Sequence, residues 1–164
     1  MDSYDHNQTN FIIRRATLDD APDIARLLRD LGWSERITAE ELAETTSRVE
    51  RQFKLCQADD SHSVYVAETA QAEIAGYVSV HWLPYLIQVG PEGFVSELFI
   101  KTPFRGHGLG SRLLATVEAE ANQRGCARLG LINNRERESY QRQFYKKQGW
   151  EERIWAANFV KWLK

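Results

Sequence analysis

Apolar residues recur along this chain with two different periods. Ile24, Leu27, Leu28 and Leu31 fall at i, i+3, i+4 and i+7 behind Asp19, Asp20 and Pro22, which predicts a helix that stops at Gly32. Leu113, Leu114, Val117 and Ala121 line one side of a second helical stretch over 111–124, closed by Gly125. Thr38 with Glu41 three residues on forms a capping-box pattern and opens a helix to about Phe53, and residues 139–148 read as a further helix closed by Gly149. Short runs rich in β-branched and aromatic residues predict strands over 11–16, 63–68, 74–82, 94–100 and 128–132. Residues 150–163 offer one or two final strands. Residues 83–92 hold Pro84, Gly90 and Pro91 and read as a loop. Strands and helices are interspersed, so the expected class is α/β or α+β around a mixed sheet.

The totals narrow the function. A chain of 164 residues suits one domain, expected over 11–164 behind a loose arm at residues 1–10. Its 21 Lys and Arg against 23 Asp and Glu leave a net charge of -2, without the basic excess that phosphate neutralisation demands of a nucleic-acid binder. No apolar run approaches the ~20 residues of a membrane span, and the polar start MDSYDHNQTN lacks the features of a secretion signal. Cys56 and Cys126 make neither a disulfide framework nor a metal site, so a reduced, cytoplasmic setting without metal is expected.

The chemistry concentrates where the strand over 94–100 gives way to the helix over 111–124. Between them, Arg105-Gly106-His107-Gly108-Leu109-Gly110-Ser111 places three glycines in five residues at a helix start. Unpaired N–H groups and the positive end of the helix dipole can hold phosphate there, and glycine lets a pyrophosphate approach the backbone. A dinucleotide fingerprint begun at Gly106 would need glycine where Ser111 stands, and a P-loop needs a Gly-Lys-Ser/Thr ending that the chain lacks.

Arg105-x-x-Gly108-x-Gly110 resembles instead the (Gln/Arg)-x-x-Gly-x-(Gly/Ala) signature of the GNAT N-acetyltransferase superfamily. Phe144-Tyr145-Lys146-Lys147-Gln148-Gly149-Trp150 is similar to a late Phe-Tyr-x-x-x-Gly-Phe stretch of that family, with Trp for Phe. The order of expected elements also looks like the GNAT fold, which implies a mostly antiparallel twisted sheet of six to seven strands with about four helices. The resemblance implies acetyl transfer from acetyl-CoA to a primary amine of a small molecule or protein. It implies a splayed strand whose Leu98, Phe99 and Ile100 pair with the pantetheine arm. The pyrophosphate would lie on amides from Arg105 through Gly106, His107, Gly108, Leu109 and Gly110 to Ser111.

An acceptor amine with a pKa near ~10 must lose a proton before it attacks, and a leaving thiolate must gain one. The resemblance places the acid at Tyr145, which could equally be an aromatic packing beside Tyr140 and Phe144. For the base, Glu97 is the carboxylate directly before the pantetheine-pairing residues. Family members with a strand carboxylate place it one or three residues earlier, at Ser96 and Phe94 here. A structural ion pair for Glu97, and His81 or a water chain as the base, stay open. Glu40, Glu41, Glu44 and Glu50 could attract a cationic amine or form a solvated helix face. Trp33, Trp82, Tyr85 and Leu86 could line an acceptor pocket, belong to the core, or meet a second subunit in a homodimer. The alternative to an enzyme is an acyl-CoA-binding sensor of the same fold.

Overall fold

A computed structural model describes residues 10–163, which divide into two compact units, one ending at Leu131 and one beginning at Ile132. The arm expected at residues 1–10 lies, Asn10 apart, outside the described residues. The first unit is built on five strands, β1 (Phe11–Arg15), β2 (His62–Thr69), β3 (Ile74–Leu83), β4 (Glu92–Ile100) and β5 (Arg128–Leu131). They lie side by side in chain order; β1 to β4 run antiparallel and β5 joins β4 in parallel. Short connections join β2 to β3 and β3 to β4, three α-helices lie between β1 and β2, and the parallel step from β4 to β5 needs a crossover, supplied by α4 (Leu109–Gln123).

Two layers of helix cover the sheet. On one face α1 (Ala21–Asp30) and α3 (Leu42–Cys56) bury Ile24, Leu27, Val49 and Phe53 against Val64, Val66, Ile74 and Tyr77. On the other face α4 buries Leu109, Leu113, Leu114 and Val117, each at 1% exposure or less. Full burial of a side chain of this kind contributes about 1.5–3 kcal/mol, so the helix spacing read from the sequence is also the spacing that holds the layers together.

The mixed, mostly antiparallel sheet and the α+β class agree with expectation, and three details differ. The sheet has five strands, because residues 151–163 form none. Their apolar residues lie open, with Ile154, Trp155, Phe159, Trp162 and Leu163 all more than three-quarters exposed, and Ala156 N–H closes a turn onto Arg153 O at 3.1 Å. An alternating pattern makes a segment compatible with a strand, but a ladder partner makes it one.

The helix expected from Thr38 is split into α2 (Glu35–Ala39), capped by Ser34, and α3. Between them Glu40 and Glu41 are extended, and the Glu40 carboxylate accepts from Arg36, Thr45 and Arg48, which fastens the kink. In the second unit the stretch 139–148 becomes α5 (Glu138–Gln141) and α6 (Phe144–Lys147), interrupted at Gln143, whose φ of +56° no local glycine or proline announces. Among the described residues six α-helices, three of them of five residues or fewer, thus replace the four expected. No helix among the described residues is long and apolar enough to cross a membrane.

Candidate active site

Strand β4 has two unlike halves. Residues Glu92 to Val95 are paired on both sides, with β3 and with β5. Beyond Val95 the pairing with β5 stops, while Glu97 to Ile100 stay bonded to β3. Among the described residues, one edge of β4 at Leu98, Phe99 and Ile100 is therefore without a strand neighbour, and backbone groups on such an edge can pair with an extended ligand as with another strand. Trp33 meets the Phe99 ring edge-on at 4.6 Å, and Tyr77 meets it from β3 at 5.6 Å.

The open half leads into the glycine turn. Arg105 folds back, its Nε donating to Ile100 O at 3.2 Å, and His107 rests its ring beside Phe11. Gly106 and Gly108 take φ of +83° and +73°, left-handed backbone that a side chain would strain. A Cβ at either would meet nothing within 4 Å, so the space over the turn is open. Helix α4 starts at Leu109 without a side-chain cap, and its first ladder bond runs from Arg112 N–H to Gly108 O at 3.1 Å. The amides of Leu109, Gly110 and Ser111 precede that bond and point out of the helix start. Open space, left-handed glycines and uncapped amides together fit a pyrophosphate.

Glu97 owes its place to a β-bulge. Ser79 opposes Glu97 and Val80 opposes Val95, so Ser96 is an extra residue on β4. The bulge restores Glu97 to the face that carries Tyr77, Ser79 and Phe99, under α1 and α3. Glu97 keeps contact with solvent, but protein crowds around it and pushes its pKa up. The Tyr77 hydroxyl works against that shift, yet it is buried outside hydrogen-bonding geometry to any described group, so crowding wins. No cation pairs with Glu97 among the described residues. Its charge reaches Cys56 at the end of α3, where burial and then Glu97 push the thiol pKa up.

Tyr145 belongs to the second unit. Its ring packs edge-on against Phe144 at 5.0 Å and Trp150 at 6.0 Å, and Trp150 N–H bonds Tyr145 O. Burial pushes the phenol pKa up, with Arg142 opposing.

Residues 26–150 match the model of the Acetyltransferase (GNAT) family, which is most of the chain. The chain belongs to that family. The aminoalkylphosphonate N-acetyltransferase of Salmonella typhimurium is 32% identical to it over 93 residues, 57% of this chain and 60% of that protein, so the match spans less than two thirds of that relative. The thialysine N-epsilon-acetyltransferase of Bos taurus is 26% identical over 125 residues, 73% of this chain and 72% of that one. Among solved structures, a transcriptional regulator from Bacillus halodurans C-125 superposes with a TM-score of 0.78 at 23% identity, over 93% of this chain and all of its own. Glucosamine-6-phosphate N-acetyltransferase from Arabidopsis thaliana gives 0.74 at 21% identity, over 94% and 99%. At such identities these likenesses speak for the GNAT fold.

Several residues singled out in the sequence find structural places in this GNAT chain. Trp82 is 5% exposed on the α4 face, where its Nε1 donates to Ser63, so it is core. Leu86 and Ile87 are fully in solvent. Glu40 is engaged by Arg36 and Arg48, which leaves less charge for a cationic ligand. Sequence reasoning missed Tyr77, whose place in an apolar strand gives no sign that its hydroxyl is spare. It also missed His62 opposite His81, although hairpin register around a turn at 70–73 would have brought the two together.

Proposed function

We propose that this chain is an acetyl-CoA-dependent N-acetyltransferase acting on a primary amine, with Glu97 as base and Tyr145 as acid. The observation that carries the reading is the open half of β4, which ends in left-handed glycines and an uncapped helix start with a cation-free carboxylate beside it. Acetyl-CoA supplies the activated acetyl thioester. Leu98, Phe99 and Ile100 offer the backbone edge for the pantetheine arm, and Arg105 through Gly106, His107, Gly108, Leu109, Gly110 and Ser111 cradle the pyrophosphate. A backbone N–H on the open edge aimed at the thioester carbonyl acts as a preorganised donor. Glu97 takes a proton from the ammonium, and its raised pKa brings it closer to that task than an ordinary carboxylate. Tyr145 keeps its proton at neutral pH and gives it to the leaving thiolate. A carboxylate held without a cation beside the open edge favours this enzyme over a sensor of the same fold, which has no need of a base.

The test pairs binding with turnover. Coenzyme A at a hundred times its Kd should stabilise the protein by about 2.7 kcal/mol and raise its Tm, with smaller shifts from NAD and ATP at equal concentration. Gly108→Val should stay folded and lose the coenzyme A shift. Thiol release should follow on an amine panel that includes an aminoalkylphosphonate and thialysine, the compounds in the relatives' names. Equal shifts from all three nucleotides, or coenzyme A binding without acetylation of any amine, would overturn the reading.

A further inference from the structure

On the sheet face that carries Glu97, strand register lays out two neighbouring rows. Val64, Ser79 and Glu97 oppose one another across β2, β3 and β4, and His62, His81 and Phe94 form the next row. Val64 and Ser79 are buried, whereas all three members of the second row are half-buried. His62 and His81 meet edge-on, with ring centroids 4.3 Å apart and planes at 67°. His62 also lines a cavity of about 260 Å³ with Phe53, Cys56, Gln57 and Asp59, which leaves room beside the rings.

Each ring has one nitrogen engaged and one spare. The Ser61 hydroxyl donates to Asp59, so His62 Nδ1 is the donor in its 2.7 Å contact with that hydroxyl. Ser96 donates to Ser79 O, so His81 Nε2 is likewise the donor to Ser96 Oγ at 2.9 Å. His62 Nε2 and His81 Nδ1 have no partner among the described residues. On protonation each would gain an N–H with nothing to receive it, and two like charges would stand directly opposite each other across the strands, which is destabilising. An anion between or beside the rings reverses both terms.

We propose that His62 and His81 form a subsite for an anionic oxyacid group, a phosphonate, phosphate or carboxylate, at the far end of the acceptor amine. This rests on the N-acetyltransferase reading above and names the substrate class of that site. Glu97 opposes Ser79, and His81 lies two residues further along β3, a strand distance of about 7 Å. A zwitterion with a short linker therefore lies across Ser79 with its ammonium at Glu97 and its anion at the imidazoles, each charge facing its opposite. A second ammonium in place of the anion would meet two groups that can only repel it or stay neutral.

The surrounding charges leave the pair available to a ligand. Asp59 engages Ser61 through its hydroxyl and its N–H, Asp60 is held by Arg124, and burial and then Glu97 push the Cys56 thiol pKa up. Arg15 on β1 donates to His62 O and to Ser63. Burial and then His62 lower the His81 pKa, so the subsite is short of charge until an anion arrives. Binding then takes up protons, and affinity for the anionic acceptor falls as pH rises past neutrality.

Two measurements test this. In the free protein without acetyl-CoA, methylphosphonate, an anion without an amine, should move the His62 and His81 C2–H titrations up by about one pH unit against sodium chloride at equal ionic strength. In turnover, the parent should prefer an aminoalkylphosphonate to an alkylamine of the same length. The ratio of their kcat/KM values should fall about ten-fold or more in His62→Gln and in His81→Gln, through KM for the phosphonate, as expected for loss of a charge-assisted hydrogen bond. His62→Lys, with a permanent cation, should retain the preference and lose its decline with pH. Unmoved titrations in the parent overturn the subsite even if the variants fold poorly. An unchanged ratio in both folded glutamine variants, or an equal loss of kcat on both amines, overturns it while leaving the acetyltransferase reading intact. A parent protein that acetylates no amine removes that reading and the acceptor subsite with it.

Discussion

Two glutamates on opposite faces of the same sheet have received opposite treatment. Glu120 on α4 is 8% exposed, and its carboxylate accepts from Ser63 at 2.8 Å, Tyr65 at 2.8 Å and Arg124 at 3.0 Å, with Arg15 within 3.8 Å. Arg124 is in turn held by Asp60 and lies over the Trp82 ring. Glu97 on β4 is crowded by protein, reached by solvent and without a cation. Partner supply separates the two more than burial does. A carboxylate surrounded by donors has its lone pairs engaged in structure, whereas one left short of partners can take up a proton.

The largest effect that would break this contrast comes from Glu97→Gln. Cofactor binding should persist while kcat/KM falls by roughly 10²–10⁴-fold, the usual worth of a general base, and the defect should shrink as pH rises and the amine loses its own proton. Steady-state rates from pH 6 to 9, approximately, would show it. A wild-type rate across that range would remove Glu97 from the chemistry.

Next in size is Glu120→Ala, which should cost about 3–5 kcal/mol of unfolding free energy by leaving Arg124, Ser63 and Tyr65 short of their common acceptor. Denaturant unfolding measures it, and a loss below about 1 kcal/mol would mean that the network adds little. Activity per folded molecule should not change.

The smallest effect sharpens the comparison through pH. The folded-state pKa of Glu97 lies above its unfolded value, so the folded chain keeps a proton that the unfolded chain has already lost. That contribution to stability is complete below the unfolded pKa and disappears as pH rises through the folded one. Glu97→Gln should therefore gain stability relative to the parent on going from acid to neutral pH, by no more than about 1 kcal/mol because solvent reaches the group. A relative loss over the same interval would point to an ion pair instead.

Much of this was legible in the chain. The period-3.6 stripe of Ile24, Leu27 and Leu28, and that of Leu113, Leu114 and Val117, marked helices whose buried faces could be named in advance. The glycines at 106 and 108 marked the turn, because the left-handed backbone there favours that residue type. Glu97 was legible as a carboxylate on a strand, though not as one lacking a cation. Its neighbours Tyr77, Ser79 and Cys56 come from other elements, and the bulge at Ser96 that sets its face leaves no mark in hydrophobic alternation.

The end of the chain shows the converse. Residues 150–163 have composition enough for strands and form none, since a strand is a relation between two segments and sequence specifies only one of them at a time. The kink at Glu40 belongs to the same class, because contacts of its carboxylate with Arg36, Thr45 and Arg48 decided it against good local helix propensity. By itself, then, the sequence determined what depends on near neighbours: helix stripes, turn glycines, and the residue types able to bind an anion or move a proton. Tertiary structure decided what depends on distant ones: where β4 parts from β5, which carboxylate is saturated and which is left short, and that His62 faces His81. Such outcomes turn on groups far apart in the chain, and each is fixed only when the packing of the sheet brings those groups to one place.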